Sequence, residues 1–410
     1  MSDQRAEPGL GVGLLVVLSV LAAAAPLSID FYLPSFPQVL RSLHTDAASV
    51  QLTITAFLVG AGLGQVAWGP ISDRFGRRRP LLIGSSIAVL AAAAAVFAPN
   101  VQILIGARFV QALAGAAGMV VSRAIVTDRT SGFVAAHSLA LLQTIVTVAP
   151  IIAPVVGGLV AGHLSWRGVL GVVLAVTVIQ ALGAFTAVRE SLPPERRTPR
   201  LRYAHIGQLL GRPGFLGYAA TIAFTFGLLM AYISSSSFVY QRVIGMPSWA
   251  YGLAFGANAL GMMLGGATSV RLARRHVHPA RVVRVALVIA VLGAALVLAV
   301  VLSPLPTWLI VFPLWFAVTS VGFIQGNTTA LAMEQSRGIA GAGSAVIGGL
   351  MFLLGGAISP LGGVAGDATA LPFAIVMVSS GVCALGAFAS ARAFVRRHPD
   401  AERGFARTAA

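Results

Sequence analysis

Two charged residues interrupt long apolar segments in the first half of this sequence, Asp30 and Arg108. A charge inside a bilayer costs about 3 kcal/mol or more unless it is paired or hydrated, so such a residue by default marks a functional pathway. Arg108 lies about 10 Å into a helix that starts near Val101, at 1.5 Å per residue. Asp30 lies at a similar distance from the end of an oppositely directed helix that reaches Phe36. We therefore expect a proton-titrated carboxylate that faces a fixed cation at the same depth.

Simpler structural roles are open for both residues and for their neighbour Gln111. Asp30 would serve as a helix cap if it lay near the membrane surface, and Arg108 would serve as a packing ion pair without any coupling. Gln111 lies one helical turn beyond Arg108. It is expected to hydrogen-bond Arg108, to line a cavity, or to join two helices through a hydrogen bond that stabilises by about 0.6 kcal/mol.

The segments that must position these residues are long enough to cross a membrane. Hydrophobic residues make up 57% of the chain and charged residues 10%, against roughly 25% charged in soluble domains. A spanning helix needs about 20 mostly apolar residues. This criterion predicts an all-α membrane protein with twelve transmembrane helices. They run Gly11–Phe36, Val50–Ile71, Pro80–Phe97, Val101–Val126, Ala135–Ala161, Val169–Val188, Phe215–Val239, Tyr251–Val270, Val282–Leu302, Trp308–Leu331, Ala340–Ile358 and Leu371–Ala393.

The basic residues are distributed unevenly over the connecting loops. All 28 basic residues are arginine, and alternate loops hold only Arg41, Arg167 and Arg242. Because loops rich in Arg stay in the cytoplasm, both termini are predicted to be cytoplasmic in an inner-membrane, multi-pass protein. The net charge of +16 then reflects membrane topology, and we expect no nucleic-acid partner. A single cysteine, Cys383, excludes an intramolecular disulfide and makes a metal site improbable.

The chain divides into two halves of similar organisation. Residues 1–190 and 215–410 each hold six predicted helices, the second followed by a short basic tail, and residues 191–214 form a polar cytoplasmic linker. The charged loop Asp73–Arg79 weakly resembles Arg271–Arg275, the loop at the same place in the second half. Six plus six helices are typical of a secondary transporter with parallel repeats. The phosphate-binding P-loop needs a lysine that this chain lacks, so we expect an ion gradient or the substrate's own gradient as the energy source, with no cofactor and no covalent chemistry.

Several motifs resemble those of a known family. Gly69–Arg79 resembles the loop signature between helices 2 and 3 of the major facilitator superfamily. Arg108-Phe109-Val110-Gln111 is similar to the Arg-x-x-Gln element of its drug:proton antiporters. Ala149–Gly158 resembles the antiporter motif of helix 5.

Three further segments point to the Bcr/CflA-type branch of multidrug resistance transporters: Asp30–Pro34, Arg123–Asp128 and Ser165–Arg167. One departure is Ala114, where the family pattern has glycine, although Gly115 follows. The resemblance implies the major facilitator fold, with two pseudo-symmetric six-helix bundles around a central cavity. It also implies that Asp30 and Arg108 couple protons to drug movement.

The helix 2–3 loop has two roles to distinguish. Its arginines determine the membrane topology, but topology does not explain the presence of Asp73. The resemblance implies that Asp73, with nearby arginines, bridges the two bundles on the cytoplasmic side as a conformational latch. The gating set is Asp73, Arg74, Gly76, Arg77, Arg129 and Gly341, in which Gly76 permits the turn into the next helix.

Helix 5 and the second half supply the remaining candidates. Prolines and glycines on helix 5 fit a kinked, tightly packed helix, either of the antiporter type or as generic packing; they are Pro150, Pro154, Gly157 and Gly158. Polar side chains at membrane depth are candidates for the substrate cavity, with interhelical hydrogen bonding as the alternative. They are Tyr32, Gln111, Tyr232, Asn258, Gln325 and Asn327.

Proton-coupled efflux of small amphipathic drugs by alternating access is the function that these features predict. The expected partners are a drug, protons and the lipid bilayer, and the chain is expected to work as a monomer. One alternative is a symporter or facilitator of a single native metabolite, which proton release on substrate addition would distinguish. A non-transporting sensor is a further alternative, but it would leave the buried charges unexplained.

Overall fold

The first half of the chain is a series of long helices joined by short loops. The structure is a computed structural model that describes residues 10–130, 132–197, 209, 211–336 and 340–397. Its helices up to the linker are α1 (Val12–Ala22), α2 (Ala24–Asp30), a 3-10 turn at Leu33–Ser35, α3 (Phe36–Ser42), α4 (Ala47–Phe75), α5 (Arg78–Val96), α6 (Val101–Arg129), α7 (Gly132–His163) and α8 (Trp166–Ala187).

The second half repeats this organisation after a short 3-10 turn at Pro194–Arg196. Its helices are α9 (Pro213–Phe238) with a π turn at Val239–Val243, α10 (Ser248–Arg274), α11 (Pro279–Leu302), a 3-10 turn at Thr307–Ile310, α12 (Val311–Gln335), α13 (Ala340–Ile358) with a 3-10 turn at Ser359–Gly363, and α14 (Leu371–Arg397). The described ranges contain helices and turns and no strand. Within these ranges eleven helices are long and apolar enough to cross a membrane, or up to twelve if one bent pair is a single span.

That bent pair corrects the sequence-based expectation for the first segment. Val12–Ala22 and Ala24–Ser42 meet at an angle of 51°, so Gly11–Phe36 is not one straight helix. Pro26 explains the break, because proline donates no hydrogen bond to the residue four positions earlier and its ring clashes there. Next to the break, Gln180 Nε2 donates a hydrogen bond to the main-chain oxygen of Val20 at 2.7 Å.

Both halves share one hydrophobic core. Within the first half α4 packs on α6 and α5 on α6 and α8, and within the second α9 packs on α14 and α11 on α12. The halves meet mainly through α7 against α10 and α4 against α13. Phe36 and Phe238 belong to opposite halves, and their ring centroids are 5.9 Å apart.

The two ends of the molecule differ in charge. We call the end that carries Arg77, Arg129, Arg212 and Arg397 the basic end, and the end that carries Pro34, Asp46, Ser248 and Gly363 the closed end. At the closed end Asp46 starts α4, since its Oδ1 accepts a hydrogen bond from the main-chain nitrogen of Ser49 at 2.8 Å. Such caps satisfy main-chain N–H groups that the first helical turn leaves free.

Candidate functional site

Arg108 is fully enclosed near the middle of the first half, with 0% of its surface exposed. Its Nη1 donates to Gln111 Oε1 at 2.7 Å, and its Nη2 donates to the main-chain oxygen of Ser28 at 2.9 Å. The guanidinium carbon lies 4.4 Å from the ring centroid of Phe57 and 5.2 Å from that of Tyr32. Two hydrogen bonds and two aromatic faces thus replace the water that a cation would otherwise need.

The oxygen of Ser28 is free to accept from Arg108 because of the local turn after α2. Phe31 N donates to Leu27 O, and Tyr32 N donates to Ile29 O at 3.0 Å, so the chain tightens and skips the oxygen of Ser28. Carbonyls at a helix end need such external donors. The hydrogen bond between Arg108 and Gln111 that the sequence suggested is present, and it holds the guanidinium in a fixed orientation.

Asp30 is the last residue of α2 and only 4% exposed. No hydrogen bond or ion pair to its carboxylate occurs among the described residues, so Asp30 and Arg108 form no ion pair in this conformation. Their role in proton coupling stays a prediction. The donors of Arg108 are directed at Ser28 and Gln111 instead. The segment that follows Asp30 contacts the other half, where Gln241 Nε2 donates to the main-chain oxygen of Pro34 at 3.0 Å.

An aromatic cluster lies in the second half, on α9, the π turn that follows it, and α10. Tyr232 and Phe255 stack with centroids 5.2 Å apart, and Tyr251 lies 6.0 Å from Phe255. The hydroxyl of Tyr251 is 3.0 Å from Ser236 Oγ. Tyr240 adjoins Tyr251 at 5.9 Å. These rings are buried and form an apolar surface that carries a few hydroxyl groups.

Sequence reasoning found Tyr232 and Asn258 but missed Tyr240, Tyr251 and Phe255. Asn258 Nδ2 lies 3.4 Å from Tyr240 Oη and 2.8 Å from the oxygen of Ala254. The spacing of Tyr251, Phe255 and Asn258 by four and three residues places them on one face of α10. That spacing was the available signal.

The candidates on α12 are not joined to this cluster by any hydrogen bond between described residues. Asn327 Nδ2 donates to the oxygen of Phe323 on its own helix at 2.7 Å. Gln325 is half-buried, and its main-chain oxygen accepts from Thr329 at 2.8 Å. Their assignment to the substrate cavity stays a prediction.

The helix 2–3 loop forms a charge cluster within the first half. Arg77 is 8% exposed, pairs with Asp73, and its Nε donates to Asp128 Oδ2 at 2.8 Å. Burial alone would lower the pKa of Arg77, but the hydrogen bonds to Asp128 and Asp73 outweigh it, and the pKa is raised. Gly76 has φ of 89°, which glycine adopts without strain, as the turn into α5 requires.

Glu190 closes the same cluster from the linker side. Its Oε1 accepts from the main-chain nitrogens of Arg77 at 2.8 Å and of Leu192 at 3.0 Å. Partial burial would raise the pKa of Glu190, but hydrogen bonds from the main chain at Leu192, Arg77, Arg78 and Ser191 lower it. Sequence reasoning assigned no role to Glu190 or Asp128, because their contacts bridge residues far apart in the chain.

The suggested gating partners of Asp73 lie elsewhere in this conformation. Arg129 Nη2 donates to the main-chain oxygen of Arg189 at 3.2 Å. Arg74 is exposed and lies over the ring of Phe75, with 5.2 Å to the centroid. Gly341 lies in the first turn of α13. Asp73 therefore pairs with Arg77 within its own half, and its predicted role as a latch between the halves remains a prediction.

The Pro/Gly motif of α7 lies where the halves touch. A side chain at Gly157 would place its Cβ 2.5 Å from the oxygen of Phe31, and one at Gly158 would place it 2.5 Å from the oxygen of Ser248. From α10, a Cβ at Gly252 would lie 2.5 Å from the oxygen of Pro154. Glycine thus allows these backbones to approach closely. The predicted tight packing is confirmed, and Pro150 and Pro154 lie inside one continuous helix.

Other contacts between the halves also lie toward the closed end. Gln51 Nε2 donates to Ser235 Oγ at 3.2 Å, and Thr55 Oγ1 donates to the oxygen of Gly356 at 2.9 Å. Toward the basic end, by contrast, five of the seven α7 residues over 141–147 are exposed. The hydrogen bonds and close glycine contacts described above between the halves thus lie toward the closed end.

A charged side chain at mid-depth in a bilayer usually marks the pathway of an ion or a polar substrate. Helical membrane proteins that place such groups between two halves, with tight contacts at one end, have the architecture of secondary transporters. Fold and site together define a membrane transporter.

The match to known sequences is more specific. Residues 18–360 match the sequence profile of the Major Facilitator Superfamily, and the chain belongs to this family. It is 35% identical over 382 residues, 92% of this chain and 94% of the other, to the uncharacterized MFS-type transporter YdgK of Bacillus subtilis (strain 168). It is 29% identical over 351 residues, 85% of this chain and 88% of the other, to the bicyclomycin resistance protein homolog of Haemophilus influenzae.

A third similar protein is multidrug resistance protein D of Escherichia coli (strain K12), at 27% identity over 367 residues, which are 85% of this chain and 88% of the other. The family resemblance inferred from the motifs is confirmed. Among solved structures, a bacterial homolog of the human lysosomal transporter Spinster, inward-facing and unoccupied, matches with a TM-score of 0.74 and 17% identity over 93% of this chain and 97% of that one. At that identity the likeness shows the fold alone.

Proposed function

We propose that this transporter exports small amphipathic drugs across the cytoplasmic membrane in exchange for protons, by alternating access. The observation that carries the proposal is Asp30, a buried carboxylate that the described residues leave without a hydrogen bond or an ion pair. Such a group holds a proton or a cation according to its access to water and to opposite charge. A drug and a proton would therefore compete for one site.

The surroundings of Asp30 suit an amphipathic substrate. The stacked rings of Tyr232 and Phe255 offer flat apolar faces, which attract both aromatic groups and cations. Ser236 and Tyr251 offer hydroxyl groups beside them. Arg108 is held at the same depth by Ser28, so its positive charge would oppose a second cation and favour the exchange of one positive charge for another.

The distribution of arginine supports the direction of export. The arginine-rich basic end would face the cytoplasm, because cytoplasmic loops are enriched in Arg. The conformation seen here, packed at the closed end, would then open to the cytoplasm. Drug would bind to deprotonated Asp30 from that side, and protonation from outside would release it. The names of the drug-resistance relatives support this class of substrate, and the chain is proposed to act as a monomer.

The test compares wild type with Asp30→Asn in an efflux-deficient bacterial host and as purified protein. We expect wild type to raise resistance to several unrelated amphipathic compounds and to release protons when drug is added, and Asp30→Asn to lose both. The exposed helix cap Asp46 supplies the control, as Asp46→Asn removes an acid without touching the site. Normal efflux and proton release by well-expressed Asp30→Asn would refute the proposal. A wild type that protects against no drug would favour the transport of a native metabolite.

A further inference from the structure

A second concave site lies on the membrane-facing side of the second half, away from Asp30. It is a groove of about 470 Å³ between α10, α11 and α12. Its walls are almost entirely apolar, and an arginine lies at its rim. The groove is lined among others by Arg281, Val285, Ile289, Trp315, Phe316 and Phe323.

Close packing of α10 on α12 separates this groove from the centre of the molecule. A Cβ at Gly265 would lie 2.8 Å from the ring of Phe323, and one at Gly261 would lie 2.3 Å from Thr319 Oγ1. These contacts leave no room for a molecule to pass between the two helices. The groove therefore opens toward lipid and not toward the aromatic cluster.

The groove runs lengthwise along the helices, with Arg281 at its shallow end and Trp315 at its deep end. Its lining on α11 extends from Arg281 to Ile289, eight residues that span about 12 Å at 1.5 Å per residue. Its lining on α12 extends over the same length, from Trp315 to Phe323. Half of a bilayer with its headgroups is about 20 to 22 Å thick. The groove therefore accommodates part of one acyl chain beside the arginine.

Positive charge is concentrated at the shallow end without compensation. The segment from 271 to 284 contains five arginines and no acidic residue. None of them takes part in an ion pair between described residues. Arg281 and Arg284 are both exposed. Arg281 lies on the face of α11 that carries Val285 and Ile289, and Arg284 lies beside that face, three residues from Arg281. Their guanidinium groups are thus available to an anion at the level of the headgroups.

We propose that the groove binds one anionic phospholipid, with an acyl chain along Val285, Ile289 and Trp315 and the phosphate at Arg281 and Arg284. An apolar groove with an arginine at its rim is complementary to a lipid that has apolar chains and a negatively charged headgroup. Basic residues at the membrane surface favour such lipids over zwitterionic ones. The inference requires neither drug export nor proton coupling.

Native mass spectrometry of the purified full chain tests the headgroup site. The probes are dioleoyl phosphatidylglycerol and dioleoyl phosphatidylcholine, which differ in headgroup charge and share their acyl chains. We expect wild type to retain the anionic lipid preferentially. Arg281→Gln combined with Arg284→Gln should weaken that preference about fivefold for each arginine removed. The matched control is Arg396→Gln with Arg397→Gln, which removes the same charge from exposed positions at the same end.

A second pair of variants tests the chain site. Val285→Trp fills the groove and should abolish retention of the anionic lipid, whereas Val288→Trp, on the same helix and outside the lining, should not. Circular dichroism checks that each variant is folded. Equal retention of both lipids by wild type would overturn the proposal, as would an equal loss in the Arg396/Arg397 control. Displacement of the lipid by transported drugs would assign the groove to substrate instead and also overturn it.

Discussion

Arg108 donates a hydrogen bond to the main-chain oxygen of Ser28, 2.9 Å away, although the acid Asp30 lies only two residues further along the chain. The cation is thus bound to the end of a helix and not to the carboxylate. Its positive charge stays at the site while Asp30 remains available to a proton or a substrate. This separation suits an exchange mechanism better than a permanent ion pair, which would occupy the carboxylate.

The two hydrogen bonds from the guanidinium of Arg108 predict the effect of Arg108→Lys. Lysine carries the same charge but lacks the planar arrangement of donors, so it cannot reach both Ser28 O and Gln111 Oε1. A hydrogen bond to a charged group contributes about 2 kcal/mol. We expect a lower melting temperature in detergent and at least a tenfold slower transport in proteoliposomes. Arg41→Lys, at an exposed position of the closed end, should behave as wild type. Full activity of Arg108→Lys would show that only charge matters.

Close approach at Gly252 predicts a shift in conformation for Gly252→Ala. The added Cβ would lie 2.5 Å from the oxygen of Pro154, so the closed end cannot pack as it does here. We expect longer distances between spin labels on cysteines at positions 41 and 249, in a background with Cys383→Ser, measured by double electron–electron resonance. Gly171→Ala is the control, since a Cβ there meets nothing within 4 Å. Unchanged distances in Gly252→Ala would contradict this role of the glycine.

The sequence predicted the number of membrane-length segments well because hydrophobic length is a local property. It also located Asp30 and Arg108 at one depth, since helical rise converts residue number into distance. It could not show that Ser28 would bind Arg108, because that oxygen becomes free only through the tight turn at Tyr32. Nor could it show that Glu190 caps the loop at Arg77. Both contacts join residues that are 80 or more positions apart.

Glu190 should make the free energy of unfolding depend on pH in the acidic range. Its pKa is lowered in the folded protein, so its contribution is complete above the ordinary value of 4.5 and disappears as pH falls through the folded value below it. Glu190→Gln should therefore melt at a lower temperature than wild type at pH 7, and the difference should vanish at strongly acidic pH. Thermal unfolding in detergent at several pH values measures this. Glu195→Gln is the control. A difference in melting temperature that does not depend on pH would contradict a stabilising role for the ionised carboxylate of Glu190.

Asp73 and Asp128 both pair with Arg77 but differ in exposure. Substituting each in turn therefore distinguishes a role in stability from a role in gating. The side chain of Asp73 is 48% exposed and that of Asp128 is 15% exposed. Removing the enclosed partner of a buried cation is costly, about 3 kcal/mol, so Asp128→Asn should lower the melting temperature more than Asp73→Asn does. If Asp73 also acts as a latch, Asp73→Asn should reduce the maximal transport rate more than the substrate affinity. Initial rates in proteoliposomes over a range of drug concentrations separate the two parameters. An Asp73→Asn protein with an unchanged maximal rate would limit Asp73 to holding Arg77 in the turn.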